Sequence, residues 1–332
     1  MQYVIGRNNI ALAYNGKLMG RAKYTLPPYT LRVEFSDLEY VPRPPQYSEA
    51  TIQKVQGVQT NQWDVCYENP DWTNLFSEMP HTTSAPDYKV IDSGDLSGVT
   101  NMYGLFQYSN LTETCWFDTS NVTNMFRMFT FTDIRTIPSF YTHKVTNMCE
   151  MFSGASRLEV LPWLDTASVT NMDGMVGGTS IVSFPAIDTH NVTSMNYMFL
   201  SCLNLRDLPM LDTSNVETMR NMFHDCASLE ICPTFNTSKV KNMSGMFMDC
   251  LKLRTVPLFD VSSIEYMTLA FDSDYRVESG ALALYNRAKD VIPASNTYAY
   301  AQAFRDCGAW TTTGAAELAQ IPESWKIPES WK

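Results

Sequence analysis

Residues 191–212 read NVTSMNYMFLSCLNLRDLPMLD, and residues 215–236 repeat the pattern as NVETMRNMFHDCASLEICPTFN. The valine that opens each unit recurs as Val99, Val122, Val145, Val169, Val192, Val216 and Val240, with Ile264 last, at steps of 23, 23, 24, 23, 24, 24 and 24 residues. Self-similarity at this period marks a repeat architecture, in which one unit cannot bury its apolar edge alone and stacking buries it. Each unit carries a methionine three residues after the valine, as in Met102, Met125, Met148 and Met172. A further apolar pair follows three and four residues later, as in Met128-Phe129 and Met222-Phe223. That spacing predicts one face of a short helix, with Thr123 and Thr146 placed to cap it.

The second apolar block predicts a short strand. Leu158-Glu-Val-Leu161, Leu205-Arg-Asp-Leu208 and Leu253-Arg-Thr-Val256 place an apolar residue at each end and are closed by Pro162, Pro209 and Pro257. Proline lacks the N–H that a central ladder needs and suits a strand end. A turn rich in Asp, Thr, Ser and Asn follows, as at 118–121 and 212–215. The expected fold is therefore an α/β solenoid of the leucine-rich-repeat type, with a parallel sheet on one face and short helices on the other. Residues 95–275 form its eight repeats. A small β-rich head occupies 1–94, and a helical C-terminal cap with a tail occupies 276–332.

The flanks support that division. Ile10–Tyr14, Asn15-Gly16 and Lys17–Met19 predict a hairpin, because Asn-Gly suits a tight primed turn. Leu31–Phe35 alternates like a half-buried strand, and 40–46 reads as a proline-rich connector. Trp63, Trp72 and Phe76 supply bulk for the head. Segments 280–289, 298–304 and 315–320 read as helices. The last twelve residues are Ile-Pro-Glu-Ser-Trp-Lys twice over, with Trp325 of the first copy expected to pack and the second copy expected to form an exposed tail.

These units resemble the leucine-rich repeats of BspA-like bacterial surface antigens, whose units read V-T-N-M-x-x-M-F-x-x-C-x-x-L-x-x-L with D-T-S-N between them. The resemblance implies adhesion to host molecules and surface display, and copies of the repeat also occur in tail or fibre proteins of phages. The opening residues 5–17 are similar to the short hairpin that begins some virion proteins. With no basic segment followed by an apolar run at the start, the expectation is a virion component, in a tail, fibre or decoration. A bacterial surface or secreted adhesin is the alternative. The partners expected are other virion proteins, or a host cell-surface protein or glycan. Homo-oligomerisation is left open.

Charge and motifs exclude other classes. The chain has 332 residues, is 45% hydrophobic, and carries a net charge of -11. Without clustered Lys and Arg it lacks what phosphate-backbone binding requires. No 18-residue apolar window exists for membrane insertion. Nucleophile-elbow, phosphate-loop, zinc-protease and dinucleotide motifs are absent, so no enzyme activity and no cofactor are expected. Cys202, Cys226 and Cys250 share one repeat position with Ser109, Thr132, Ala155 and Thr179, which fits small buried side chains better than a metal strip or disulfides. The recurrent Asp95, Asp118, Asp165, Asp188, Asp212 and Asp260 fit either a calcium column or backbone capping within the turn. His143 and His190 share one position two repeats apart, too far for one ion. A binding face is the remaining candidate. Between the inward residues, and just after the proline, the side chains vary: Trp116, Arg135, Glu159, Trp163, Arg206, Asp207, Met210, Glu230 and Arg254 form the expected contact strip. An ordinary solvated face is the competing reading.

Overall fold

A computed structural model describes the backbone of residues 2–6, 9–14 and 17–23 and, in full, residues 26–42, 49–56, 58–77 and 86–327. The first sheet is an antiparallel meander of β1 (Gln2–Gly6), β2 (Asn9–Tyr14) and β3 (Lys17–Lys23). Its β2–β3 pairing is the hairpin expected from sequence; the Asn15-Gly16 turn lies outside the described residues. The second sheet has five strands in the order β5-β6-β4-β7-β8: β4 (Thr30–Phe35), β5 (Thr51–Lys54), β6 (Asn61–Cys66), β7 (Tyr88–Ser93) and β8 (Leu111–Thr114). It is mixed, because β7 and β8 run parallel while the other neighbours are antiparallel. Leu31, Val33 and Phe35 alternate into the core, as their pattern predicts. The proline-rich connector falls largely outside the described residues.

The expected α/β solenoid with a helical cap is overturned. The repeats contain no helix and no continuous parallel sheet; the fold is mostly β. The Met-x-x-Met-Phe segment is a pair of tight turns. In the second unit, the N–H groups of Met125, Arg127, Phe129 and Phe131 donate to the carbonyls of Asn147, Cys149, Met151 and Ser153 in the next unit, at 3.2, 3.1, 2.9 and 2.8 Å. Those donors are no longer free for the i−4 carbonyls that an α-helix requires. Met128 and Thr130 fold back three residues, to Met125 and Arg127. Arg127 (φ 58°) and Phe131 (φ 52°) are left-handed, which interrupts any α-helix of negative φ. Two such residues, four apart, recur in each unit: Gly104 and Tyr108, Tyr197 and Ser201, Gly245 and Asp249. An apolar spacing of i, i+3, i+4 therefore fits consecutive turns as well as a helix.

The expected strand runs are likewise short contacts. Outside β8 they pair only through isolated parallel bridges, such as Ser183 with Asp207 and Thr255 with Ser279. A second ladder, one residue wide, runs through Asp71, Asn101, Asn124, Asn147, Asn171, Ser194, Thr218, Asn242 and Tyr266. The units thus stack in parallel, one hydrogen-bonded layer apart. Val99 through Val240 and Met102 through Met246 are buried to within 1% at every repeat of these positions. The phenylalanines form a column: Phe76, Phe106, Phe129 and Phe152, then, past Val176, Phe199, Phe223, Phe247, Phe271 and Phe304. Neighbouring rings lie 5.2–5.8 Å apart, close to the spacing of adjacent strands.

The stack extends beyond the eight units at both ends. Trp72-Thr-Asn-Leu-Phe76 takes the place of a Met-x-x-Met-Phe segment: Asn74 is left-handed (φ 56°), and Phe76 stacks on Phe106. At the other end the N–H groups of Met267, Leu269, Phe271 and Ser273 donate to Ala299, Ala301, Ala303 and Arg305. Gln302 and Asp306 are the left-handed pair there, and Cys307 occupies the cysteine position. The predicted helix 298–304 is therefore a further turn unit, entered through a 3₁₀ turn at Thr297–Tyr300. The C-terminal region holds two short helices, α1 (Ala281–Ala288) and α2 (Thr312–Leu318), in place of a helical cap.

Candidate functional site

The turn after each proline accounts for the aspartate column. Each Asp accepts, through Oδ1, the N–H two residues ahead: Ser97 to Asp95 at 2.9 Å, Ser120 to Asp118 at 2.9 Å, Ser214 to Asp212 at 3.0 Å and Ser262 to Asp260 at 2.9 Å. Asn236 does the same for Ser238. These bonds hold the carboxyls of Asp95, Asp212 and Asp260 below the usual range; for Asp188 the His190 ring beside it contributes most. Where a threonine follows, it is buried and reaches the next unit: Thr189 Oγ1 donates to Asp212 O at 2.8 Å, and Thr213 Oγ1 to Asn236 O at 2.7 Å. Among the described residues, no three His, Cys, Asp or Glu side chains converge as a metal site.

Capping of the Met-x-x-Met-Phe turn also differs from expectation. The hydroxyls of Thr123 and Thr146 donate to the carbonyls of Thr100 and Thr123 in the preceding units. The asparagine beside each threonine caps instead: Asn124 Oδ1 accepts the Phe126 N–H at 3.0 Å, and Asn147 Oδ1 accepts that of Cys149 at 2.9 Å. At the cysteine position, Ser109 and Thr132 donate to carbonyls in their own units. The thiols of Cys202, Cys226 and Cys250 donate to Val176, Phe199 and Phe223 of the unit before, at 3.2, 3.1 and 3.0 Å. The position therefore takes a small side chain, a donor at each of these units, with Ala155 filling it by size alone. Burial pushes the Cys202 thiol up to about 11, which keeps it from being a nucleophile.

The interior is thus largely repeated from unit to unit, with small side-chain changes such as Val176 and Ala155, while the exterior varies freely. All nine residues of the expected strip, Trp116, Arg135, Glu159, Trp163, Arg206, Asp207, Met210, Glu230 and Arg254, are exposed. They fall in three columns along the stack: Arg135, Glu159, Arg206, Glu230 and Arg254 in one, Asp207 in the next, where Val160 and Ile231 also stand, and Trp116, Trp163 and Met210 in the third. Apolar residues of these columns stand well out of the surface: Val160 is 71% exposed, Met210 67%, Ile231 66% and Trp163 63%. The structure brings some charged members together. Arg254 lies 3.5 Å from Glu230 and 3.4 Å from Glu278, which makes a short charge ladder. Arg135 and Glu159, which hold the same repeat position four and three units before Glu230, line an open groove of about 490 Å³ with Thr136, Ser156 and Arg157. Arg157 pairs with Asp133 at 3.1 Å. Trp116 meets the edge of Tyr141 at 5.7 Å.

Sequence reading missed Tyr141, Ser156 and Arg157 as members of this face. Tyr141 breaks the aspartate column, and that break was the available signal. Arg157 lies outside the variable pair and enters only through the groove.

Taken together, the geometry defines a stacked-repeat protein with a repeated, hydrogen-bonded interior and a variable exposed strip. The chain belongs to the family described as Mycoplasma protein of unknown function, DUF285, which matches it at residues 71–183, 130–231, 164–253, 183–280 and 232–326. This is a repeat family related to the BspA-like surface proteins. The overlapping matches begin at the additional unit around Trp72 and run through the one around Phe304, in agreement with the extended stack. No curated protein matches the chain, and no solved structure matches it.

Proposed function

We infer that this protein is a non-enzymatic binding scaffold whose exposed strip contacts a macromolecular surface. One observation carries the reading: core positions are filled in the same way in unit after unit, while the strip beside them presents Val160, Trp163, Met210 and Ile231 to solvent between charged side chains. Single exposed apolar residues are ordinary, but several along one face form the kind of patch that partners cover. Trp and Arg are the residue types that most often dominate interface energetics. Membership of a repeat family related to surface proteins supports display of this strip outward.

The finer reading is a virion tail, fibre or decoration component, supported by the hairpin-forming opening residues; the alternative is a bacterial surface adhesin. Immunogold labelling of purified particles and of intact cells separates the two. For the binding itself, the labelled protein is applied to a glycan array and to intact bacterial and epithelial cells. The W163A/M210A/I231A variant is expected to lose at least about tenfold in binding, since interface aromatics removed together cost more than about 1.4 kcal/mol. A variant with Thr123, Thr170 and Thr193 changed to Ala, on the exposed column of the Val-Thr-Asn ladder, is expected to bind like wild type. Equal losses in the two variants, or no binding to any of these surfaces, would refute the proposal.

A further inference from the structure

The chain ends in two identical hexamers, Ile-Pro-Glu-Ser-Trp-Lys at 321–326 and again at 327–332. The first closes the end of the phenylalanine column. The Trp325 ring lies 4.3 Å from Tyr300 at an interplanar angle of 13°, 6.2 Å from Phe304, and edge-on to Tyr285 at 5.2 Å. Ile321 is 1% exposed and Trp325 5%. The Trp325 carbonyl accepts the Phe304 N–H at 3.2 Å. Lys326 donates to the Leu318 carbonyl at 3.3 Å and pairs with Glu323 at 2.6 Å. The hexamer also carries its own conformation, a 3₁₀ turn at Glu323–Trp325 in which the N–H groups of Trp325 and Lys326 bond to Pro322 and Glu323. Every hexamer group that makes these contacts is present again, at the same spacing, in 327–332.

We propose that the end of the stack is a hexapeptide-recognition site with two interchangeable occupants on one chain: 327–332 takes the site when 321–326 leaves it. Both copies offer the site the same side chains in the same order. The difference is the loop that the second register leaves between Gln320 and Ile327. Closing such a loop costs entropy that grows only logarithmically with its length, so the first register dominates and the second is a reserve. A stack of this kind needs a covered end, since its terminal aromatic layer otherwise faces water. A spare occupant keeps that layer covered through local fraying or through damage to the first tryptophan. The ligand class is a peptide carrying Ile-Pro-x-Ser-Trp-Lys.

Four full-length chains test the proposal: wild type, W325A, W331A and W325A/W331A, compared by thermal midpoint over a range of concentrations. W331A is expected within roughly 1 °C of wild type, W325A within roughly 3 °C, and the double variant lower by roughly 10 °C. If the double variant fails to fold while W325A folds near the wild-type midpoint, the proposal stands. It is overturned if W325A falls as far as the double variant or fails to fold. It is also overturned if W325A regains its midpoint only at high concentration as a dimer, because the second copy would then be acting on a neighbouring chain.

Discussion

Replacing Phe223 by alanine tests the stacking of units most directly. Phe223 is fully buried, with Phe199 and Phe247 each 5.2 Å from its ring on either side and Phe235 at 6.3 Å. Truncating a buried phenylalanine costs about 3–5 kcal/mol. Each lost ring pair adds roughly 0.5–1.5 kcal/mol beyond buried area. The surroundings cannot collapse into the void, because Phe199 N–H and Phe223 N–H are tied to Met222 O and Met246 O at 2.9 and 2.8 Å. The cost therefore belongs at the upper end, about 5 kcal/mol. Guanidinium unfolding followed by circular dichroism and tryptophan fluorescence measures it. In a quasi-one-dimensional stack, a lesion in the middle also uncouples the two halves, so the transition is expected to broaden and its slope to fall. The exposed Trp163→Ala is the control and is expected within about 0.5 kcal/mol of wild type. A cost below about 2 kcal/mol for F223A, or an equal cost for W163A, would show that the phenylalanine column does not hold the units together.

Three further outcomes follow from particular residues. Val176 interrupts the phenylalanine column, and Phe184 meets Phe199 edge-on at 4.9 Å beside it; V176F is expected to overpack by about 1–3 kcal/mol, with most of the loss recovered in V176F/F184V, and a gain in stability for V176F alone contradicts this packing. Gly245 is left-handed (φ 63°), and a Cβ there collides with the Asn221 amide; G245A is expected to cost more than about 1 kcal/mol, so an unchanged urea midpoint would rule out the two-turn geometry. Asp274 is fully buried, with Oδ1 on the Cys250 N–H at 2.8 Å and Oδ2 without a hydrogen-bond partner. Burial pushes its carboxyl well above the ordinary value of 3.8, with Asp249 and Asp272 raising it further. The folded chain then keeps a proton that the unfolded chain releases, so the stability this residue contributes is complete below about pH 3.8 and is lost as pH rises towards the folded value. Asp274→Asn cannot titrate, so its stability relative to wild type is expected to increase between pH 4 and pH 7; parallel stability–pH curves for the two chains would disprove the assignment.

How far the sequence reaches is clearest at individual residues. The 23–24-residue period, the buried valine and methionine positions, and the small side chain at Cys202, Cys226 and Cys250 follow from residue type and spacing, because burial depends on chemistry that each unit carries itself; the turn aspartates fitted two roles by sequence, and the N–H bonds of Ser97, Ser120, Ser214 and Ser262 show the capping. The exposure of Trp163 and Met210 follows from the same pattern. The tertiary structure alone decided between helix and turns. Met125, Met128 and Phe129 are spaced for either, and the choice falls to the N–H groups of Arg127 and Phe131, which find acceptors only once the next unit is in place. Gly104, Gly174 and Gly245 sit where left-handed backbone is needed, but Arg127, Glu150 and Tyr197 hold the same position, so the glycine signal is diluted. The extra units around Phe76 and Phe304 stayed hidden for the same reason. They have lost the valine and methionine letters and keep the phenylalanine, with Cys307 at the second, while the turn geometry is imposed by backbone hydrogen bonds to the neighbouring layer.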